Sequence, residues 1–278
     1  MVYNTHMAKE SLSLVFLNSA GGDQFDQSRK FLGPRSPDQF ATRLIEALAS
    51  RRDLIGFAEV PEMGDRDPTG IKRSAFLNAV ARGLGNEFKT VPQPDIPVDR
   101  MQATLGLALV SRLLISNIEL LFIEPPVEDN YLTHPKGALK VKLEQFGREI
   151  DLAIVHYHPL HIVRAKRAFS EDEMAAIDTQ IEGFTRFLTP RTDESYDRVP
   201  TVVIGDFNTH ELNQPATTLV ENLLNIGYIE TLTDPTIPGS AIRRADRLFV
   251  TPELSVEEVS LFNADSDHYG ISALVVSI

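Results

Sequence analysis

Short apolar runs rich in Val, Ile, Leu and Phe recur from residue 11 to residue 278, more of them than a helical fold could absorb. They include SLSLVFLN (11–18), DLIGFAEV (53–60), LGLALVS (105–111), IELLFIE (118–124), ALKVKLE (138–144) and IDLAIVHYH (150–158). PTVVIGD (200–206), DRLFV (246–250), SVEEVSLF (255–262) and ISALVVSI (271–278) complete the series. In ALKVKLE, Leu139, Val141 and Leu143 alternate with Lys140, Lys142 and Glu144, so that strand is expected to keep one wet face. LALV and VVI are apolar throughout, the pattern of strands covered on both sides.

Helical signals sit between the strands. Ser36-Pro37-Asp38-Gln39 is a capping box with proline at the first helical position, followed by Phe40, Leu44 and Leu48. Ser170 and Glu173 form a second capping box, and Met174, Ile177, Ile181, Phe184 and Leu188 behind it make one core-facing stripe. A shorter helix is expected from Pro215 to Asn225, stopping at Gly227. Strand and helix alternate early, and strands dominate the end. This order predicts an α/β architecture in which two mainly antiparallel sheets pack face to face with helices outside. VPQPDIPV (91–98), 124–137 and 190–200 read as surface loops rather than linkers. Residues 11–278 are therefore expected to form a single domain behind a tail, 1–10, in which Met7 is a candidate start.

Composition narrows the chemistry. The chain has no cysteine, so disulfides and thiolate metal sites are excluded, and any metal must take oxygen or imidazole ligands. The net charge of −12 argues against stoichiometric nucleic-acid binding through a basic face, although it leaves room for a local basic cleft. Small basic clusters occur at Arg51-Arg52, Lys72-Arg73, Arg164/Lys166/Arg167 and Arg243-Arg244, each with solvated surface as its ordinary explanation. No secretory signal and no apolar run of membrane-spanning length is seen, so a cytoplasmic location without a transmembrane segment is the expectation. Oligomeric state leaves no mark in the sequence.

The informative feature is where polar residues fall. Asn18 closes the first run, Glu59 ends LIGFAE, and His158 ends LAIVHYH. Asp206 and Asn208 follow VVIG, Asp246 opens DRLFV, and Asp267-His268 precede the final run. Each alone has an ordinary explanation as a turn residue, helix cap or satisfied histidine. Together they repeat a costly pattern, because a charged group at an apolar strand end loses hydration unless something pairs with it. If those ends converge, they line one pocket with acids, amides and imidazoles. Such a set suits a hard divalent cation, Mg²⁺ or Mn²⁺, and a phosphate ester.

On these residues the sequence resembles the endonuclease/exonuclease/phosphatase superfamily, the metal-dependent phosphoesterases related to DNase I. The landmarks follow in register from Leu14 to Val276: VFLNSAGG, GFAEV, GLALVSR (106–112), IVHYHPL, GDFN, ADRLFV and SDHYGISALVV. The resemblance implies a four-layer sandwich of two β-sheets with helices outside, and in-line hydrolysis of a P–O ester. It implies Glu59 as the principal metal carboxylate, with Asn18 and Asp267 beside it. It implies that Asp206 activates water, Asn208 holds a phosphoryl oxygen, His158 and His268 donate to the phosphate, and Asp246 fixes a histidine tautomer.

His156 lies two positions before His158 and shares its strand face, but alignment of HYHPL favours His158. His161 and His210 read as surface histidines. Ala58 stands where many members carry glutamine, and the chain has no tryptophan. The segment PLHIVRAKRAF (159–169) offers Arg164, Lys166 and Arg167 as substrate-binding cations. The acidic balance favours a phosphodiester or a small-molecule or lipid headgroup phosphate, with a DNA or RNA nuclease as the alternative. A calcineurin-like phosphoesterase is excluded, since no D-x-H or GNH motif occurs. A silent binding module would have lost the glutamate, the GDFN pair or the SDH pair, and none is lost.

Overall fold

The computed structural model describes residues 11–20, 23–26, 28, 30–34, 36–48, 53–62, 75–84, 89–90, 104–127, 136–192, 197–209 and 216–278. The tail 1–10, the Arg51-Arg52 and Lys72-Arg73 clusters, the loop 91–98, His210 and Pro215 lie outside the described residues.

β1 (Ser11–Asn18) explains the layering, because from Leu14 to Leu17 its apolar residues follow one another without alternation. Leu12, Leu14 and Phe16 enter one core while Val15 and Leu17 enter another, so both faces are covered. β1 lies within a six-stranded sheet of order β13 (Leu254–Phe262), β14 (Gly270–Ser277), β1, β4 (Leu54–Glu62), β6 (Thr104–Ser111) and β5 (Lys89–Thr90). A second six-stranded sheet has the order β11 (Ile229–Glu230), β12 (Asp246–Val250), β10 (Thr201–Asp206), β9 (Arg148–His156), β8 (Lys136–Gln145) and β7 (Ile115–Ile123). A two-stranded hairpin, β2 (Asp23–Phe25) with β3 (Phe31–Pro34), completes the strands among the described residues.

Three apolar cores separate four layers. Leu14, Phe16, Leu139, Leu152, Ile154 and Ile204 fill the space between the sheets. α1 (Pro37–Ala47) and α2 (Ala75–Leu84) cover the outer face of the first sheet through Phe40, Leu44 and Val80. α3 (Leu160–Arg164), α4 (Glu171–Leu188) and α5 (Ala216–Asn225) cover the second through Leu160, Ile177, Phe184 and Leu219. Ser36 and Ser170 cap α1 and α4, and both boxes close reciprocally through Gln39 and Glu173. The expected sandwich is therefore the observed one. No helix among the described residues is long and apolar enough to cross a membrane.

Pairing is antiparallel except at one place in each sheet. β1 runs parallel to β4, and β9 runs parallel to β10. Parallel neighbours end on the same side, so each sheet delivers two adjacent C-terminal ends to one rim. Gly205 permits this closeness, because a Cβ there would collide with the backbone of Val155 on β9.

Two strand expectations change. The wet face foreseen for 138–144 holds at Lys142 and Glu144 but not at Lys140, which is buried. Its ammonium donates to the Phe187 carbonyl of α4 at 3.1 Å and pairs with Glu119 at 3.0 Å, while its stem crosses apolar surface. The run 150–158 stops being a strand at His156, where the register sets His156 opposite Asp206.

Candidate active site

At the shared rim, Asn18 from the first sheet donates its amide Nδ2 to Asp206 Oδ2 of the second at 2.9 Å. Ser266, in the loop before β14, donates its hydroxyl to the Asn18 carbonyl at 2.6 Å. These contacts draw the SDH loop, the first strand and the GDFN motif together across most of the chain.

Backbone irregularity aims the acids. Register slips between Phe57 and Val60 of β4, and Glu59 sits there at φ 53°. A bulge of this kind re-aims a side chain that regular alternation would have sent elsewhere. Asn208 at φ 50°, Ala20 at φ 50° and Asp265 at φ 56° also adopt the left-handed region, which costs free energy for residues other than glycine. All four border the rim. Asn208 is held there by its own N–H on Asp206 Oδ1 at 2.7 Å and by its side-chain amide on the Tyr157 carbonyl at 2.8 Å.

Asp206 lies at the centre of the charge arrangement. It is 1% exposed, with His156 Nε2 3.7 Å and His268 Nε2 3.9 Å from its Oδ2. Burial pushes its carboxyl up to about 6, against the pull of His268 and with a further push from Asp246. Burial disfavours the charged imidazole of His268, yet Asp246 and Asp206 carry it up to about 10. The His268 Nδ1–H donates to Asp246 Oδ2 at 2.7 Å, which directs Nε2 toward Asp206. The result is a buried acid held beside a protonated imidazole.

The structure brings together Asn18, Glu59, Asp206, Asn208, Asp246 and His268, with Asp267 next to His268. It does not bring in His158. That ring turns away from the rim, with Nε2 3.2 Å from the Ile123 carbonyl, and burial pushes it down to about 3. His156 occupies the place expected of His158, 3.6 Å from Glu59 Oε1 and 3.7 Å from Asp206 Oδ2. The strand ends two residues earlier than its composition suggests, and that decides between the two histidines.

Arg164, the last residue of α3, and Lys166 and Arg167 just past it are exposed, unlike the buried Asp206, Asp246 and His268 of the rim. Arg167 is committed to Glu173, the capping residue of α4, through contacts of 2.6 and 2.7 Å that hold this carboxyl down at about 2. The site instead has a cation that the sequence did not single out. Lys136, the first residue of β8, sets its ammonium 3.0 Å from His156 Nε2 and 3.5 Å from Glu59 Oε1. In sequence it reads as part of the loop 124–137, two residues before the strand run at 138, whereas β8 begins at Lys136 itself.

The donor set fits a hard divalent cation. Carboxylate oxygens of Asp206 and Asp246 lie within 4.8 Å of each other, beside the His268 imidazolium. Asp246 Oδ1 is buried without a hydrogen-bond partner among the described residues, an arrangement that carries a desolvation cost unless a positive centre answers it. Glu59 adds a half-buried carboxylate at the rim. Oxygen donors of this type, with no thiol in the chain, suit Mg²⁺ or Mn²⁺.

No family model and no curated protein matches the chain. Solved structures do match it. An endonuclease/exonuclease/phosphatase from Beutenbergia cavernae DSM 12333 aligns with 97% of this chain and 72% of its own, at a TM-score of 0.69 and 15% identity. The human Nocturnin catalytic domain with bound sulfate anion covers 97% of this chain and 94% of its own, at 0.60 and 15%. D. rerio TDP2 complexed with single strand DNA product covers 96% and 99%, at 0.58 and 14%. At these identities the likeness is one of fold. The chain has the DNase I-like fold of endonuclease/exonuclease/phosphatase proteins, as its motifs led us to expect.

Proposed function

We propose that residues 11–278 form one domain that hydrolyses a phosphoester bond with the help of a divalent metal ion. The observation that carries this reading is Asp206, a desolvated acid at the meeting point of two parallel strand pairs, flanked by His156 and His268. With its carboxyl near 6, Asp206 is ionised at neutral pH yet basic enough to take a proton from water. His268, raised to about 10, remains an imidazolium and has a proton to give.

In the proposed step the water oxygen forms a bond to phosphorus while the bond to the leaving oxygen breaks. The water proton passes to Asp206, and His268 supplies a proton to the departing oxygen. Lys136 presents its ammonium toward the phosphoryl oxygens, where negative charge builds, with His156 beside it. Asn208 keeps the GDFN loop in its left-handed turn through Tyr157 and Asp206. Asp246 holds the tautomer of His268. Glu59, with Asn18 and Asp267, would hold Mg²⁺ or Mn²⁺, while Asp206 takes the water proton. Such an ion supplies charge neutralisation at the phosphoryl group.

The net charge of −12 supports a phosphodiester, or a small-molecule or lipid headgroup phosphate, as substrate. A nuclease is the second reading, favoured by the fold shared with TDP2, which was captured with single strand DNA product. The test is hydrolysis of bis-p-nitrophenyl phosphate, p-nitrophenyl phosphate and plasmid DNA, each with Mg²⁺, Mn²⁺ or EDTA, beside Glu59→Ala. Metal-dependent turnover lost in the variant supports the phosphoesterase, and the preferred substrate separates the two readings. Absence of turnover on all three, together with no heat on Mn²⁺ titration, favours a binding module instead.

A further inference from the structure

The segment between β11 and β12, Thr231–Ala245, has no regular secondary structure, yet it contacts the GDFN loop, Asp246 and the residue after His268. Thr236, fully buried, accepts the Asp246 backbone N–H on its hydroxyl at 3.0 Å. Its own carbonyl accepts the N–H of Tyr269, the residue after His268, at 2.8 Å. One threonine therefore ties the backbone of Asp246 to that of Tyr269, the residue next to its partner His268. Thr236 is held in turn by the Arg243 carbonyl, to which its N–H donates at 3.0 Å.

The other end of the segment holds the GDFN loop. Phe207 donates its N–H to the Ala245 carbonyl at 2.8 Å, and the buried Thr209 hydroxyl donates to the Arg244 carbonyl at 2.7 Å. The same Thr209 oxygen accepts from Arg247 Nε at 2.7 Å, and Arg247 is anchored by Glu230 at 2.6 Å. Asn208, with its left-handed backbone, sits between these two attachments.

We infer that Thr236 and Thr209 are positioning residues for phosphoester hydrolysis, with 236–245 the brace that fixes the Asp246–His268 pair relative to Asp206 and Asn208. This inference rests on the hydrolase reading above. Neither threonine touches the reacting atoms, and both act through backbone they hold. A hydroxyl is required at each position, and a methyl of equal size is not a substitute.

The isosteric pairs Thr236→Val against Thr236→Ser, and Thr209→Val against Thr209→Ser, test it. Each valine keeps the volume and removes the hydrogen bond, and each serine restores it. Turnover of bis-p-nitrophenyl phosphate with Mn²⁺ is expected to fall about tenfold in kcat for each valine variant at nearly unchanged KM, with serine recovering most of it. A purely structural role would lower Tm without changing kcat of the folded fraction, and equal kcat for valine and serine would overturn the inference. The second readout is independent of turnover. The His268 Nδ1 proton, 2.7 Å from Asp246 between heavy atoms, is expected to give a far-downfield ¹H resonance, assigned by its absence in His268→Gln. Thr236→Val is expected to shift or broaden it while Thr236→Ser keeps it. An unmoved resonance overturns the role of Thr236 even if the wild-type protein hydrolyses no ester. A moved resonance without any wild-type turnover would break the hydrolase reading and leave the brace standing.

Discussion

The two ends of the sandwich bury acids in opposite ways. At the end where β4 and β9 begin, Asp53 accepts the Ser13 N–H at 2.7 Å and the Arg112 guanidinium, and Asp151 takes Arg191 at 2.6 and 2.9 Å. At the other end, Asp206 and Asp246 meet imidazoles and an amide. A guanidinium satisfies a carboxylate in two places and never gives up its proton, so those pairs are static. An imidazole can exchange a proton near neutrality. The same desolvation cost thus serves stability at one end and leaves transferable protons at the other.

The largest expected effect separates the two ends outright. Asp206→Asn should cut turnover by about 10³-fold while Tm stays close to wild type. Unfolding instead would make Asp206 a structural acid like Asp151. Next, His156→Gln should lower kcat by about 10²-fold, whereas His158→Gln should leave kcat of the folded protein within a few-fold. The reverse ranking would return the phosphate contact to His158. At the static end, Asp151→Asn should cost about 3 kcal/mol in denaturant unfolding, with activity per folded molecule retained. A silent substitution there would mean that Arg191 contributes only as an exposed surface charge.

The pH dependence sharpens the contrast further. His268 is held near 10 against an ordinary 6.5, so its contribution to stability is complete below about 6.5 and is lost as pH climbs through about 10. The Tm difference between wild type and His268→Gln should therefore narrow as pH rises across that window. A constant difference would mean that the imidazole is neutral when folded. The smallest effect is expected from Arg164→Ala with Lys166→Ala, a change in KM of less than about threefold.

Most of the fold was legible because each strand carries its own pattern, and capping boxes mark α1 and α4 by local chemistry. Much of the site was legible for a related reason: Glu59, Asp206, Asp246 and His268 interrupt apolar runs at a cost that needs an explanation. What escaped notice depends on pairing between strands. His156 prevails over His158 because β9 stops opposite Asp206, a fact of register rather than composition. Glu59 reaches the rim through a bulge that its neighbours Ala58 and Val60 do not announce. Lys136 reads in sequence as part of the loop 124–137, and only the pairing of β8 with β7 brings it into the sheet. Arg167 misled in the opposite direction, since its partner Glu173 lay in view within the Ser170 capping box, yet the arginine read as free to meet substrate.

The tie between Ser266 and Asn18 spans 248 positions of the chain, and the Asn18 contact with Asp206 spans 188. β14, which follows the SDH loop, pairs between β13 and β1. During synthesis the first sheet therefore waits with one side of β1 unpaired until β14 has emerged, and the Asp246–His268 bond cannot form before then. The proposed centre is thus among the last parts of this domain to assemble.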